Sequence, residues 1–225
     1  MFAAMKGNAI FELYQSLLRT YGEQSWWPAE SAFEVMVGAI LTQNTAWSNV
    51  EKAISNLKIS NVLNAQSILQ TPADKLAEII RPSGYFNVKT KRLKSFCHWY
   101  LQQGGYDALS TQDTESLRQG LLAVNGIGPE TADDMLLYAF HRPVFVIDTY
   151  TRRLFTRTGC ADGQAAYDEL RIQVEQSLAS DVKDMNEFHA LIVHHAKDNC
   201  KVKPVCHSCV INNNCSHAND PGKHS

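Results

Sequence analysis

Apolar positions recur at helical spacing along almost the whole chain. Across 8–18 they fall at Ile10, Leu13, Leu17 and Leu18, the i, i+3, i+4 rhythm of one helix face. The stretch 21–28 breaks the rhythm and predicts a loop carrying Trp26 and Trp27. Ser31 then stands at a capping position before Phe33, Val35, Met36, Val37, Ile40 and Leu41, a run dense enough to predict a helix buried on most sides. Thr42-Gln43-Asn44-Thr45 interrupts with four polar residues expected on the surface, and the pattern resumes at Trp47, Val50, Ile54 and Leu57. Thr71-Pro72-Ala73-Asp74 offers a cap, a first-turn proline and an acid for a helix carrying Leu76, Ile79 and Ile80, which Pro82 and Gly84 stop. Further helices are predicted over 114–124, 163–178 and 186–196. The stretch 143–147 is apolar and β-branched but too short and solitary to establish a sheet. The expected fold class is all-α.

One pair of these helices is joined unusually. Leu117, Leu121, Leu122 and Val124 form one apolar face, Gly126-Ile127-Gly128 breaks it, and Pro129 opens a second helix with Ala132, Met135, Leu136, Ala139 and Phe140 inward. Such a hairpin presents free amides at the positive end of a helix, which suits a phosphate; an ordinary helix–helix turn has the same signature. Asp148 follows the apolar run Val144-Phe145-Val146-Ile147 and precedes Thr149, Arg152 and Arg153. An acid between apolar and basic neighbours can do chemistry, and it can equally cap the next helix or pair with Arg152.

Composition narrows the partners. With 225 residues and 44% hydrophobic content, the chain can bury one sizeable core or two small ones. Its net charge of -2 argues against indiscriminate coating of nucleic acid, so any phosphate-binding surface must be local. The clearest basic patch lies between Arg81 and Ser95, where Arg81, Lys89, Lys91, Arg92 and Lys94 occur with no acidic residue. It is either a solvated helix face or, with Gly84, Tyr85 and Asn87 at its head, a loop that meets phosphate. No stretch approaches the roughly 20 apolar residues of a membrane span, and the N-terminus lacks a signal pattern. The chain is therefore expected to be intracellular, cytoplasmic and without a membrane partner.

Six cysteines divide into two lone residues, Cys97 and Cys160, and a cluster of four, Cys200, Cys206, Cys209 and Cys215. The spacing C-x5-C-x2-C-x5-C lets one loop wrap a tetrahedral sulfur site for an iron–sulfur cluster or zinc, and His207 or His217 could replace a thiolate around zinc. Disulfides fit poorly in so short a loop on a chain without a secretion signal.

The segments VNGIGPETADDMLLYAF, VIDTYTRR, ILTQN and RPSGYFNVKTKRL, followed by the four-cysteine loop, resemble the endonuclease III group of helix-hairpin-helix DNA glycosylases. The resemblance covers nearly the whole chain in order. WWP, LTQNTAW, RPSG and GIGPETAD are most similar to the type III 3-methyladenine DNA glycosylases. The resemblance implies a six-helix module over 24–142 and a terminal module of 1–23 with 143–225, with DNA crossing a cleft between them. It also implies a [4Fe-4S] cluster on the loop 200–215 in preference to zinc, although the family's first cysteine interval is one residue longer. Asp148 matches the family's catalytic aspartate, and Gln43 matches the residue that fills the gap left by an extruded base. Gly126, Ile127 and Gly128 match the phosphate-binding hairpin, with Thr131, Gly84, Asn87 and Lys89 completing the expected DNA contacts. Trp26, Trp27 and Trp47 are candidates to stack on a flipped base, and Lys197 aligns with a pocket lysine of the type III enzymes.

One match fails. Bifunctional members carry, where this chain has Glu130, a lysine whose amine attacks the sugar before strand cleavage; a carboxylate cannot do this. The expected function is therefore monofunctional base-excision repair: a monomer that binds double-stranded DNA, flips a damaged base and hydrolyses its N-glycosidic bond, the base being an alkylated purine. The alternatives are a bifunctional glycosylase and lyase for oxidised pyrimidines, and a non-catalytic binder of DNA structure.

Overall fold

The computed structural model describes residues 2–24, 26–27 and 29–220, with side chains from residue 9 onward. Twelve α-helices follow in order: α1 (Phe2–Tyr21), α2 (Ala32–Leu41), α3 (Trp47–Ile59), α4 (Ala65–Gln70), α5 (Ala73–Ile79), α6 (Phe86–Gln102), α7 (Gly105–Ser110), α8 (Thr114–Leu122), α9 (Pro129–Asp134), α10 (Thr149–Thr158), α11 (Tyr167–Ser177) and α12 (Val182–Asp198). A single π-helical turn, Met135–Ala139, continues α9. Among the described residues there is no strand, as the all-α expectation requires. The predicted loop 21–28 includes Ser25 and Pro28, and the terminal stretches reach residue 1 and 221–225; these lie outside the described residues.

Local signals explain most helix starts and several corrections. Ser31 caps α2 by accepting from the Glu34 amide at 3.2 Å, and Asp113 caps α8 through the Ser116 amide. Thr71, expected to cap α5, instead closes α4, its hydroxyl donating to the Ser67 carbonyl at 2.7 Å. Pro72 takes the cap position of α5 without a side-chain bond, because its fixed φ suits the entry and it has no N–H to satisfy. The predicted helix 163–178 begins only at Tyr167. Gly163 precedes it in close packing, where an added Cβ would stand 2.2 Å from the Arg152 carbonyl oxygen. The predicted 186–196 extends to Val182–Asp198 because Asp181 supplies a cap one turn earlier.

The chain divides into two compact units, Trp27–Arg142 and Met1–Trp26 with Pro143–Ser225. In the first, α4 and α5 pack on α6, and α2 packs on the π turn. Met36, Val37, Ile40 and Leu41 of α2 are fully buried with Leu57, Phe96, Leu121 and Leu136, as the dense apolar run predicts. In the second, α1 and α10 pack on α12, and Phe188 collects Tyr14, Phe145 and Phe155 around it at ring separations of 5.4–6.2 Å. Of the stretch 143–147, Pro143 is a half-buried bend and Val144, Phe145, Val146 and Ile147 are buried outside any helix, with no partner strand. Its backbone is satisfied by side chains instead: the Phe145 amide donates to Glu175 at 2.9 Å and the Ile147 amide to the Tyr167 hydroxyl at 3.3 Å.

Candidate active site

The glycine hairpin sits between α8 and α9, and a buried ion pair clamps its two arms. Arg118 of α8 donates from Nε to one oxygen of Asp133 at 2.7 Å and from Nη2 to the other at 3.1 Å, with Asp133 0% exposed. The two glycines have different reasons to be glycine. Gly126 has φ +91, and a Cβ there would stand 2.3 Å from Cγ of Arg92. Gly128 precedes Pro129 in extended conformation, φ -97, and a Cβ there would meet nothing within 4 Å. The first is required by the protein itself; the second keeps a patch of backbone bare.

The loop 42–45, the hairpin and α6 are tied together in this unit. The Gln43 amide nitrogen donates to the Gly126 carbonyl at 3.0 Å and to the Thr131 hydroxyl at 2.9 Å, while its oxygen accepts from Arg92 Nη1. Thr131 is buried on this network. The polar interruption 42–45 is therefore only partly a surface feature, because Gln43 and Thr45 turn inward to bond backbone that would otherwise be orphaned.

Lys89 requires a correction. It is 1% exposed, and its ammonium donates to the Leu41 carbonyl at 2.7 Å, the Thr45 hydroxyl at 2.6 Å and the Ser83 carbonyl at 2.7 Å. An ammonium has three protons, all spent here, so Lys89 cannot reach a phosphate. Burial, and then the nearby charge of Arg92, pull its pKa down to about 8. The rest of the basic patch divides between inward and outward cations. Lys94 donates to the Leu69 and Thr71 carbonyls, while Arg81, paired with Glu78 at the surface, and Lys91 are exposed. Sequence spacing missed this because it does not show which side of α6 faces inward. What the head of α6 does expose is Asn87 and Tyr85, the latter 70% exposed in left-handed backbone beside Gly84, φ +65.

The three candidate tryptophans do not share one site. Trp27, with φ +67, packs edge-on to Trp47 at 5.2 Å and against Tyr138 of the π turn at 4.8 Å. Trp27, Trp47, Gly38, Glu51 and Ile54 line a cleft of about 280 Å³. Trp26 belongs to the other unit, where the Lys197 ammonium lies 5.4 Å over its ring.

Asp148 ends the buried stretch 143–147 and is 8% exposed. Oδ1 accepts from the Thr151 amide at 2.7 Å, capping α10, and Oδ2 lies 3.7 Å from Nε2 of His189 on α12. Burial alone would raise the carboxyl pKa, but His189 and the Thr151 amide outweigh it and hold the group below the ordinary carboxylate range. Arg152 is not its partner, since it donates to the Gly163 and Ala165 carbonyls at 2.9 Å. His189 was invisible in the sequence: it comes from a distant helix, and an isolated histidine among apolar neighbours carries no motif.

Cys200, Cys206, Cys209 and Cys215 line one small cavity with Leu154 and Ile211. Among the described residues no three or more His, Cys, Asp or Glu side chains are grouped so as to hold a metal ion. Burial pushes the Cys209 thiol up. Arg157 donates to Cys200 Sγ at 3.4 Å, and His195 Nε2 lies 3.6 Å from Cys209 Sγ. Cys97 and Cys160 are buried free thiols elsewhere. Among the described residues no helix is long and apolar enough to cross a membrane.

Residues 37–180 match the family model for the HhH-GPD superfamily base excision DNA repair protein. A protein of Methanocaldococcus jannaschii, named as an inferred DNA repair glycosylase, is 47% identical over 93% of this chain and 97% of its own. The endonuclease III of Haemophilus influenzae is 30% identical over 83% of this chain and 84% of its own. Among solved structures, the 3-methyladenine DNA glycosylase MagIII of H. pylori, bound to 1,N6-ethenoadenine, superposes with a TM-score of 0.75 at 29% identity, covering 84% of this chain and 97% of that one. An endonuclease III in a non-covalent DNA complex shares the fold, with a TM-score of 0.80 at 17% identity over 94% and 96% of the two chains. The chain belongs to the HhH-GPD superfamily and is a DNA glycosylase of base excision repair.

Proposed function

We propose that this glycosylase is monofunctional and releases an alkylated purine of the 3-methyladenine type from double-stranded DNA, acting in the cytoplasm as a monomer on a flipped nucleotide. The observation that carries the reading is Glu130, an exposed acid in the first turn of α9. It stands where the resemblance places the lysine of strand-cleaving members, and it has no amine to form a Schiff base. The likeness to MagIII supports the substrate class.

In this reading the hairpin 126–128 anchors a phosphate and Asp148 faces the sugar. Cleaving the glycosidic bond develops positive charge on the sugar, and a carboxylate held ionised stabilises that charge and orients the attacking water. An N3-alkylated adenine already carries positive charge and leaves without a strong general acid. An electron-poor ring suits the faces of Trp27 and Trp47, while Lys197 over Trp26 is a second pocket candidate. Gln43 exchanges its bonds to Gly126, Thr131 and Arg92 for the gap in the duplex, with Gly84 and Asn87 against the DNA backbone.

Cys200, Cys206, Cys209 and Cys215 are read as the ligands of a [4Fe-4S] cluster. The fit is one of donor chemistry: four soft sulfurs around one cavity, with the Arg157 guanidinium beside Cys200 to balance thiolate charge. Sulfurs spread around a cavity suit a cluster better than a single zinc ion. When bound, the cluster supplies four covalent cross-links to the loop.

The test is base release from a panel of alkylated, oxidised and mismatched duplexes, each also treated with borohydride. Release of alkylated adenine with no trapped adduct is expected. A covalent protein–DNA adduct would instead establish the bifunctional alternative, and no release from any lesion would leave a non-catalytic binder.

A further inference from the structure

Lys89 and Arg92 sit one turn apart on α6, and each bonds to loops remote in sequence. Lys89 joins the Leu41 carbonyl at the end of α2, the Thr45 hydroxyl and the Ser83 carbonyl before Gly84. Arg92 bonds Gln43 and lies against Gly126. Thr45 extends the junction, its hydroxyl donating to the Ser83 carbonyl at 2.5 Å. A buried ammonium must be compensated by its acceptors, and a hydrocarbon of the same length would fill the space but leave the Leu41 carbonyl without this donor and the two loops untied. A lysine here is explained by what its three bonds hold.

We propose that Lys89 is a positioning residue for DNA binding: buried beneath the surface, it fixes the loop bearing Gln43 and the loop bearing Gly84, Tyr85 and Asn87 in one register, with Arg92 extending the brace to the glycine hairpin. The proposal rests on the reading of Gln43 and Asn87 as DNA-facing. It differs from a phosphate contact in a measurable way. A cation that neutralises a phosphate steepens the dependence of log K on log salt by about one unit, whereas a buried brace changes affinity and leaves the slope alone.

The experiment measures affinity for a duplex carrying a tetrahydrofuran abasic analogue over a range of salt, for the full chain and for Lys89→Met, Thr45→Val, Gln43→Ala, Asn87→Ala and Lys89→Met/Gln43→Ala. Lys89→Met is expected to weaken binding about tenfold and Thr45→Val about threefold, both with the wild-type salt slope. In the Gln43→Ala background the Lys89→Met effect should shrink, because a brace acts through the loop it holds; a merely structural defect would add in full. Should Lys89→Met fail to fold, Thr45→Val alone decides. A slope reduced by one unit, full additivity, or unchanged affinity in a folded Lys89→Met or in Thr45→Val would overturn the proposal. Unchanged binding by Gln43→Ala and Asn87→Ala would instead overturn the reading of these loops as DNA-facing.

Discussion

The two glycines of the hairpin should respond oppositely to alanine. At Gly126 an alanine must hold φ +91, which costs an L-residue about 1–2 kcal/mol. Its Cβ would also stand 2.3 Å from Arg92 Cγ and 2.7 Å from Cδ, so the arginine must leave and abandon its charged bond to Gln43, a further loss of about 1.5–3 kcal/mol. The smaller unfolded-state entropy of alanine returns about 0.4–1 kcal/mol. The net destabilisation is about 2–4 kcal/mol, or roughly 4–16 °C in melting temperature for a chain of this size. At Gly128 the backbone is extended and the added Cβ meets nothing. The poorer helix cap and the entropy gain should then cancel to within about 0.5 kcal/mol. If the bare backbone is where a phosphate approaches, Gly128→Ala should bind duplex DNA about tenfold more weakly while melting like wild type. Thermal melts with fluorescence-anisotropy titrations decide the matter. A Gly128→Ala protein that binds normally, or a Gly126→Ala protein that melts normally, refutes the reasoning.

Asp148→Asn keeps a competent helix cap but loses the charge, so base release should fall about 10²–10³-fold and the stability that the ionised carboxylate contributes should be lost from the melt at neutral pH; equal release would remove the catalytic role. Because the folded pKa of Asp148 is depressed, the ionised form and the stability it contributes are present above the ordinary carboxylate pKa and are lost as pH falls through the folded value. The acid limb of single-turnover release should accordingly lie below the ordinary carboxylate range and vanish in Asp148→Asn. Arg118→Met leaves Asp133 buried beside an uncharged neighbour, and chemical denaturation should register a loss of about 3–5 kcal/mol, most of it recovered in Arg118→Met/Asp133→Leu. Cys209→Ala should abolish iron and acid-labile sulfide in the purified protein together with its visible charge-transfer absorption; zinc in the wild type at one ion per chain would overturn the cluster.

Much of the molecule was legible in the chain because the relevant physics is local. Apolar spacing marked the core helices, as the buried run of α2 illustrates, and Gly126-Ile127-Gly128-Pro129 marked the hairpin, since positive φ and a proline at a helix start are demands of backbone geometry alone. Cysteine spacing pointed to one loop, and the four residues do line one cavity. Glu130 in place of an amine is likewise a statement about residue identity that no fold alters.

Tertiary structure decided what depends on which side of an element faces inward. A run of five cations looked like a phosphate-binding patch, yet Lys89 is buried on three acceptors and Arg92 serves Gln43, because packing turns that side of α6 toward acceptors that need a donor. Adjacent Trp26 and Trp27 looked interchangeable until one joined Trp47 and the other Lys197. The sequence singled out Asp148 but left capping, pairing with Arg152 and chemistry open; the cap on α10 and the approach of His189 from a separate helix emerge only in the packed chain. Helix spacing is written in residues three and four apart; electrostatic partnership is set by distance in space, which only the packed chain defines.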